Sequence, residues 1–226
     1  MIPAAGASSR FGGSIPKPYL RIAGRSLLEH AMRTLLRHPG VAGGVVVLAA
    51  GDRRWSRLPA ALRARVGTTL GGASRAISVL NGLQALERAL AKDWVLVHDA
   101  ARPCLPPADL ARLVAACRHD TVGGLLALPV AETLKHADAG ARSARSVTRD
   151  GLWRAQTPQM FRHGQLVRAL TRAIGEGFEP TDEAAAIECL GLQPRLVEGS
   201  PLNVKVTRPA DLAFAKVAVR LLQGAA

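Results

Sequence analysis

Small side chains and two cations near the amino terminus form a pattern that could bind a polyphosphate. Residues 3–9 (PAAGASS) are followed by Arg10 and Lys17, with two glycines between these cations. Small side chains let backbone N–H groups approach an anion closely, and two cations suit a polyphosphate better than a single carboxylate. No Gly-Lys-Ser/Thr sequence follows, and the glycine spacing does not match the dinucleotide fingerprint. We therefore expect a phosphate-binding loop, the alternative being a flexible loop rich in glycine and serine.

Two further segments place polar side chains directly after predicted strands. A second glycine turn spans residues 71–78, and Asp99 and Arg102 follow the apolar run 94–98. Ligands bind where the carboxyl ends of parallel strands meet, so these segments and the first loop should lie together. Asp99 at a strand end could hold Mg²⁺ between phosphate oxygens, although an aspartate there is also common as a turn or cap residue. His98 is expected to form local hydrogen bonds rather than act as a base.

Lys205 is a third cation that could reach such a site. It lies between two valines in residues 203–206, which we predict to form a short strand. Side chains alternate between the two faces of a strand, so Lys205 should point away from these valines, toward a cleft or toward solvent. A lysine that faces only solvent on an edge strand is the alternative.

The elements that must position these residues alternate between strand and helix along most of the chain. Ser26 and Glu29 form a capping box before a helix, and the apolar runs 45–50 and 94–98 are typical of strands buried on both faces. This alternation predicts an α/β fold with a mainly parallel sheet. The other predicted strands are 66–70, 123–130 and 195–198, and the other predicted helices lie within 52–65, 79–90, 108–118, 163–174, 183–190 and 209–222.

Residues 131–152 differ from the rest of the chain. They are polar, and two strand-like pieces within them, 133–135 and 146–148, predict a hairpin arm that projects from the core. No internal repeat or low-complexity linker divides the chain, so we expect a single domain over residues 1–226 with this arm. Only two residues precede Pro3, so either the first strand is very short or the recorded chain begins late.

Composition narrows the expected partners and compartment. The formal net charge of +13 favours anionic ligands such as nucleotides, sugar phosphates or nucleic acid. Because the arginines are scattered and only 4% of residues are aromatic, stacking platforms for nucleic acid are scarce, and we expect no nucleic-acid partner. No apolar run reaches membrane-spanning length and no secretory signal is visible, so we expect no membrane partner. Three widely spaced cysteines form no metal or disulfide pattern, which favours a reducing, cytoplasmic location.

Several motifs, in one order along nearly the whole chain, resemble those of the 2-C-methyl-D-erythritol 4-phosphate cytidylyltransferase family. The first loop alone is shared by many sugar-nucleotide pyrophosphorylases, so the specific feature is the combination. The segments that show the resemblance are PAAG at 3–6 with Arg10, PKPYL at 16–20, VHDAARP at 97–103, ETLK at 132–135, Trp153 with TPQ at 157–159, TDEA at 181–184 and NVKVTRP at 203–209.

The resemblance implies a fold, a reaction and partners. The implied fold is a Rossmann-like nucleotidyltransferase domain, and the implied assembly is a homodimer in which the arm of one subunit reaches the active site of the other. The implied reaction transfers CMP from CTP to 2-C-methyl-D-erythritol 4-phosphate (hereafter methylerythritol phosphate). Its products are 4-CDP-2-C-methyl-D-erythritol and pyrophosphate, in the non-mevalonate pathway to isoprenoid precursors. The implied cofactor is Mg²⁺ or another divalent cation.

By match to the family's motifs, the resemblance also implies a role for each candidate site residue. The residues expected to act in catalysis are Arg10, Lys17 and Lys205. The residues expected to contact the nucleotide are Pro3, Ala4, Ala5, Gly6, Ala7, Ser8, Gly71, Ser78, Asp99 and Ala100. The residues expected to bind the second substrate are Asp99, Arg102, Thr133, Arg149, Thr157 and Lys205. Asp99 is also the expected metal ligand, together with the CTP phosphates.

Two stretches depart from the usual pattern of the family. Pro18 stands where the family usually has glutamine, and a residue before proline favours an extended backbone, so Lys17 could be held stiffly between two prolines. Ala73, Ser74 and Ile77 stand in the second glycine turn, where the family often has acidic residues. Polar contacts from this turn to cytosine or ribose are therefore in doubt.

Two other functions stay open on the sequence alone. A cytidylyltransferase for another polyol phosphate, such as ribitol 5-phosphate, would share the nucleotide-binding half, but segment 98–102 and Thr133 fit the methylerythritol enzyme better. A non-catalytic relative that binds nucleotides or nucleic acid is the other possibility. The joint presence of Asp99 and the candidate cations argues against it.

Overall fold

The computed structural model describes residues 1–6, 15–86 and 89–224. The strands are β1 (Ile2–Pro3), β2 (Arg21–Ile22), β3 (Arg25–Ser26), β4 (Gly44–Leu48), β5 (Val66–Leu70), β6 (Trp94–Val97), β7 (Gly123–Pro129), β8 (Leu134–Ala137), β9 (Ser143–Val147), β10 (Trp153–Arg162) and β11 (Arg195–Glu198). The helices are α1 (Leu27–Arg37), α2 (Ala60–Arg63), α3 (Arg75–Gln84), α4 (Pro107–Cys117), α5 (His163–Gly175), α6 (Glu183–Glu188) and α7 (Pro209–Gly224). Short 3-10 helices lie at Lys17–Tyr19 and Trp55–Arg57.

Seven of these strands form two sheets, β5–β4–β1 and β6–β10–β7–β11. The two sheets adjoin each other at β1 and β6, and together they are called the central sheet here. β1, β4 and β5 pair in parallel, as do β7 and β11, whereas β10 is antiparallel to both of its neighbours. The two groups of strands meet at Met1. Its amino group donates to the Leu96 carbonyl (2.6 Å), and its carbonyl accepts from the His98 N–H (3.0 Å). The predicted mixed α/β fold with a mainly parallel sheet is confirmed.

Alternate residues of the central strands pack against helices on opposite faces of the sheet. Val46 of β4 lies in a core cluster with α1 and α4, while Val45 and Val47 lie in a cluster with α3, α5 and α6. In β7, Leu126 lies in the first of these clusters and Leu125 lies in the second. This period-two pattern is that of strands buried on both faces, and it explains the continuous apolar runs in the sequence.

α7 forms a third and smaller core cluster with the residues that precede α1. Ala215, Ala218 and Val219 of this helix are buried against Ile22 and Leu27. The end of the described chain is thereby packed beside the segment that leads from the first loop into α1. No helix among the described residues is both long and apolar enough to cross a membrane.

The strand predicted at residues 203–206 is wrong, because this segment is an extended loop with little backbone pairing. The Val206 N–H donates to the Ala101 carbonyl (2.8 Å), but the Val204 N–H bonds locally to the Leu202 carbonyl (2.7 Å). The expected alternation of side chains still holds, since Val206 is buried and Lys205 is exposed. The loop therefore directs Lys205 away from the core without belonging to a sheet.

The extended backbone expected at Lys17 is also wrong. Lys17 is the first residue of a 3-10 helix, in which the Tyr19 N–H donates to the Pro16 carbonyl (2.9 Å). The Leu20 N–H donates to the Lys17 carbonyl (3.1 Å), which closes the turn. Pro18 tolerates this position because an N–H in the first turn of a helix has no intrahelical partner.

Nothing in the sequence pattern indicates β10, which lies between β6 and β7. Its central residues Gln156, Thr157 and Gln159 are polar, yet all three are buried. The register of β10 against β7 shifts between Ala155 and Gln159, so the strand does not show a clean alternation. A buried strand with polar side chains and a bulge resembles a loop when only the sequence is considered.

Within the segment 131–152, β8 and β9 pair antiparallel with each other and form a separate two-stranded sheet. Most residues of this hairpin are exposed. At its base, the Val130 N–H donates to the Leu152 carbonyl (3.0 Å).

Candidate active site

Asp99 lies just beyond β6, and three cations from three parts of the chain surround its carboxylate. The Lys205 ammonium is 2.9 Å from Oδ2, Arg75 Nη2 is 3.3 Å from Oδ1, and Arg102 Nε is 3.6 Å from Oδ2. Burial raises the pKa of this carboxyl, but the cations outweigh burial and hold the pKa of Asp99 well below its usual range. Asp99 is therefore a charged carboxylate at neutral pH.

The cations around Asp99 differ in how many protein oxygens hold them. Arg102 donates to the carbonyls of Asn203 (2.7 Å) and Ala155 (3.3 Å), and its side chain is only 10% exposed. The Lys205 side chain is 44% exposed. Lys205 can therefore contact a ligand in solution, whereas Arg102 is fixed within the protein. Burial lowers the pKa of Arg102, although the neighbouring Asp99 opposes this shift.

Arg75 joins Asp99 to a second, completely buried carboxylate. Its Nη1 is 2.7 Å from Glu183 Oε1 and its Nη2 is 3.2 Å from Glu183 Oε2, a two-pronged contact. Burial raises the pKa of Glu183, while this contact favours its charged form. The attraction to both carboxylates outweighs the burial of the guanidinium and raises the pKa of Arg75. Arg75 is therefore a permanent cation between two acidic side chains.

His98 and Thr157 support Asp99 from within the core. Thr157 Oγ1 accepts from the Asp99 N–H (3.0 Å) and lies 3.0 Å from His98 Nδ1, while His98 Nε2 lies 3.1 Å from the Arg102 carbonyl. These partners assign the hydroxyl proton of Thr157 to Nδ1 and the ring proton of His98 to Nε2. Burial lowers the pKa of His98 to about 4. The expectation that His98 bonds locally is confirmed.

A cavity of about 460 Å³ opens beside Asp99. The first loop, the second glycine turn and the loop after β6 supply its walls, as the sheet topology predicts for segments at one edge. Its lining residues are Pro3, Ala4, Ala5, Gly6, Lys17, Pro18, Gly72, Ala73, Ser74, Arg75, Ser78, Asp99, Ala100, Ala101 and Lys205.

The cavity brings together nine of the residues predicted for the site. These are Pro3, Ala4, Ala5, Gly6, Lys17, Ser78, Asp99, Ala100 and Lys205. Arg102 and Thr157 do not line it but contact Asp99, which does. Gly71 adjoins the same wall through Ala5. Three other predicted residues, Ala7, Ser8 and Arg10, lie outside the described residues.

The 3-10 helix that bears Lys17 is anchored to the loop after β4. The Tyr19 hydroxyl donates to Asp52 Oδ2 (2.6 Å), and Asp52 Oδ1 accepts from the N–H groups of Arg54 (2.7 Å) and Trp55 (3.2 Å). Burial raises the pKa of Tyr19, and the hydrogen bond to Asp52 raises it further. The turn at Lys17 is therefore held at its carboxyl-terminal end by a buried side chain.

The second glycine turn packs directly against the first loop. A Cβ on Gly71 would lie 2.4 Å from the Ala5 Cβ, so only glycine permits this approach. Ser78 Oγ accepts from the Gly72 N–H (3.0 Å) and donates to the Ser74 carbonyl (2.8 Å). Because the hydroxyl proton of Ser78 is used within the turn, Ser78 can offer a nucleotide an acceptor lone pair only.

The two candidate residues of the arm segment lie apart from this cavity. Thr133 and Arg149 are exposed, and the Arg149 guanidinium donates to the Ala131 carbonyl. Neither residue lines the cavity that the described residues of this chain form. A role for them in substrate binding stays a prediction.

Asp99 is the carboxylate that a divalent cation at this cavity would use. The described residues contain no group of three or more His, Cys, Asp or Glu side chains that could hold a metal ion by themselves. Mg²⁺ commonly binds through one or two carboxylates together with water and substrate phosphates. The donor set therefore fits a divalent cation that shares its ligands with a bound polyphosphate.

The chain is similar to known proteins over nearly its whole length. A family model described as 2-C-methyl-D-erythritol 4-phosphate cytidylyltransferase matches residues 1–221. The chain belongs to the 2-C-methyl-D-erythritol 4-phosphate cytidylyltransferase family. It is 53% identical over 223 residues to the cytidylyltransferase of that name from Laribacter hongkongensis (strain HLHK9), with 98% of this chain and 95% of the relative covered. The corresponding protein of Ectopseudomonas mendocina (strain ymp) is 50% identical over 220 residues, covering 96% and 94%.

A solved structure of a family member has the same fold. The crystal structure of 4-diphosphocytidyl-2C-methyl-D-erythritol synthase superimposes with a TM-score of 0.84 at 40% identity, and 96% of each chain is covered. The cytidylyltransferase family match extends over all elements that form the cavity, from the first loop to the loop that contains Lys205.

Sequence reasoning missed the pair Arg75–Glu183, although both residues lie in segments that it singled out. Arg75 belongs to the second glycine turn, and Glu183 belongs to the 181–184 motif shared with the cytidylyltransferase family. The available signal was an acidic residue followed directly by an apolar run, which predicts a buried charge that needs a partner. The partner itself is 108 residues away and has no signal in the sequence.

Proposed function

We propose that this chain transfers CMP from CTP to methylerythritol phosphate and releases pyrophosphate, a step in the supply of isoprenoid precursors. The observation that supports it best is the buried Asp99 carboxylate with three cations around it, at a cavity lined by the small-residue loop and by Lys17. Two phosphate-bearing substrates must meet in such a reaction. A cavity with excess positive charge at its wall meets that requirement.

The chemical step is an in-line displacement at phosphorus. A phosphate oxygen of methylerythritol phosphate forms a bond to the α-phosphorus of CTP. The bond from that phosphorus to the bridging oxygen of the β-phosphate breaks, and pyrophosphate leaves with the electron pair. Because no proton transfer or covalent enzyme intermediate is needed, positioning and charge neutralisation supply most of the catalysis.

The site residues have distinct roles in this proposal. Arg10 and Lys17 bind the triphosphate and offset the charge that develops on pyrophosphate, while Lys205 contacts the α-phosphate and the substrate phosphate. Residues 3–8 with Gly71, Ser78 and Ala100 contact the nucleotide. The residues that bind methylerythritol phosphate are Asp99, Arg102, Thr133, Arg149, Thr157 and Lys205. Mg²⁺ or another divalent cation, when bound by Asp99 and the CTP phosphates, supplies further neutralisation of phosphate charge.

We also propose that the enzyme is a homodimer in which the arm segment completes the partner's site. Thr133 and Arg149 are exposed and lie apart from the cavity of their own chain, which is what such an arrangement requires. Leu152 (39% exposed) and Trp153 (38% exposed) present apolar surface at the base of the arm segment, which suits contact with a second copy.

The alternative acceptor, another polyol phosphate such as ribitol 5-phosphate, is not favoured. The relatives compared above have names that specify methylerythritol phosphate, and the family match extends across the arm segment as well as the nucleotide-binding half.

Pyrophosphate release from CTP and Mg²⁺ tests the proposed function. We expect release that needs both CTP and methylerythritol phosphate, and little release when ribitol 5-phosphate or another nucleoside triphosphate is substituted. Release with ribitol 5-phosphate and not with methylerythritol phosphate would reassign the acceptor. Absence of release with every acceptor tested would contradict the transferase proposal.

A further inference from the structure

The 181–184 motif has no role in the reaction as described so far, yet a dense set of hydrogen bonds holds it. Asp182 Oδ1 accepts from the Ala185 N–H (2.9 Å) and so caps α6, while Asp182 Oδ2 accepts from the Gln159 side chain (2.9 Å). Gln159 Oε1 in turn accepts from the Ala184 N–H (2.8 Å). The first turn of α6 is thereby fixed to β10, and with it the position of Glu183.

Glu183 is completely buried and its carboxylate has one cationic partner among the described residues, Arg75. A guanidinium holds its nitrogens in a rigid planar fork. When Glu183 engages Nη1 and Nη2 from one side (2.7 and 3.2 Å), the plane of the guanidinium is fixed. Nη2 is then directed at Asp99 Oδ1, 3.3 Å away.

We propose that Arg75 is a positioning residue for the transfer reaction and that Glu183 holds it against Asp99. The inference rests on the proposed function and assigns a purpose to the 181–184 motif. Lys205 is exposed enough to leave Asp99 for an incoming phosphate, which removes the nearest cation from Oδ2 and leaves only the longer contact with Arg102 Nε (3.6 Å) there. Arg75 cannot follow, because a buried carboxylate retains it. Asp99 thus keeps its orientation through Oδ1 while Oδ2 becomes available to a divalent cation.

The charges of the cluster support the same assignment. Three cations (Arg75, Arg102, Lys205) and two carboxylates (Asp99, Glu183) leave a net charge of one positive unit. Without Glu183, the full charge of Arg75 would act on Asp99 and compete with a divalent cation for its carboxylate. Glu183 therefore lets Arg75 orient Asp99 without neutralising it completely.

Two single variants test the proposal. Glu183→Gln keeps the size of the side chain and one acceptor for Arg75 but removes the charge, and Arg75→Gln removes the cation. We expect kcat to fall by about 10- to 100-fold in each, the usual effect of losing a residue that orients a metal ligand. We expect Glu183→Gln also to raise the Mg²⁺ concentration needed for half-maximal activity, with little change in KM for methylerythritol phosphate.

Glu176→Gln is the matched control. It breaks the Arg172–Glu176 ion pair (2.8 Å), which has the same chemistry but is more than half exposed on the surface of α5. We expect kcat and the Mg²⁺ requirement of this variant to equal those of the wild type, because exposed ion pairs contribute little. A loss of kcat in Glu176→Gln as large as in Glu183→Gln would overturn the proposal.

The double variant Arg75→Gln/Glu183→Gln separates positioning from folding. Removing one member of a buried pair leaves an unpaired charge and lowers stability, whereas removing both does not. We expect Tm to recover in the double variant while kcat stays low. Recovery of kcat together with Tm would show that the pair is only structural and would overturn the proposal.

Binding of CTP without the second substrate gives a readout that does not depend on turnover. Calorimetry with and without Mg²⁺ measures how much the cation strengthens CTP binding. We expect this Mg²⁺-dependent gain to be smaller in Glu183→Gln than in the wild type. An equal gain in the variant and the wild type would overturn the proposal. Because this measurement needs no acceptor substrate, its outcome does not depend on which acceptor the enzyme uses. Failure of this proposal is therefore distinct from failure of the proposed function.

Discussion

The cations that line the cavity or contact Asp99 differ in how the protein holds them. Arg75 and Arg102 each donate to at least two protein oxygens. Lys205 is half-exposed and contacts one carboxylate, and Lys17 lines the same cavity from the first 3-10 helix. The planar guanidinium groups form the rigid frame, and the ammonium groups, which are compact charges on flexible stems, suit phosphates that arrive and leave.

We predict that Lys17→Ala nearly abolishes turnover and leaves the fold intact. Removing a group that stabilises the charge developing in the transition state commonly lowers kcat on the order of 10²-fold or more. Pyrophosphate release and thermal unfolding measure the two effects. Lys216→Ala removes an exposed lysine from α7 and is the control, for which we expect unchanged kcat. Near-normal kcat in Lys17→Ala would contradict the proposed mechanism.

We predict that buried His98 makes the protein sensitive to mild acid. Burial lowers its pKa to about 4, whereas in the unfolded chain the pKa is about 6.5. Between these values the unfolded state binds more protons, so stability is lost as the pH falls through this window. The unfolding free energy should decrease by about 1.4 kcal/mol per pH unit from this residue alone. Urea denaturation at a series of pH values measures the slope.

His98→Asn is the comparison that isolates this contribution. Asparagine offers an acceptor and a donor of similar reach but does not titrate, so the slope should be shallower by one proton. His30, whose pKa burial also lowers, is present in both proteins and so cancels from the difference. Equal slopes for the two proteins would show that His98 does not titrate in this way.

The second glycine turn is positioned by its close contact with the first loop. Gly71→Ala would place a Cβ 2.4 Å from the Ala5 Cβ and 3.0 Å from Ser78 Oγ, so the turn must move away from the loop. We expect KM for CTP to rise by about tenfold or more, because displacement of a binding wall by a fraction of an ångström is costly. KM for methylerythritol phosphate should change less.

Steady-state kinetics with each substrate varied in turn measures this separation. Gly175→Ala is the matched control, since a Cβ at this helix end meets no atom within 4 Å. An increase in both KM values of equal size would indicate general distortion of the site rather than displacement of the nucleotide wall.

Elements defined by neighbouring residues were predictable, and those defined by distant partners were not. The start of α1 follows from the neighbouring residues Ser26 and Glu29, since Ser26 Oγ accepts from the Glu29 N–H (3.1 Å). β10 could not be recognised because Gln159 is satisfied by Asp182, which lies 23 residues away. The candidate site shows the same difference. The position of Asp99 at a strand end could be predicted from the sequence, whereas its orientation depends on contacts with distant residues that only the fold brings together.

The hairpin β8–β9 is the part of the molecule that could contact either the cavity of its own subunit or the cavity of a partner subunit. It pairs with no strand of the central sheet among the described residues, and its side chains are mostly exposed. In an isolated subunit, Thr133 and Arg149 are exposed to solvent and do not line the cavity that the described residues form. In a homodimer with twofold symmetry, each arm segment could reach the other cavity, and both sites would then contain residues from two chains.

We predict that two inactive variants restore each other when mixed. Lys17→Ala inactivates the cavity and Arg149→Ala the arm segment, so each homodimer should lose most of its kcat. Subunit exchange yields mixed dimers in which one site combines an intact cavity with an intact arm segment. Half of the dimers then have one working site of two, so activity should return to about a quarter of the wild-type value. Mixing without subunit exchange is the control. An equilibrated mixture that stays inactive, with exchange verified by mass, would place Arg149 at the cavity of its own chain.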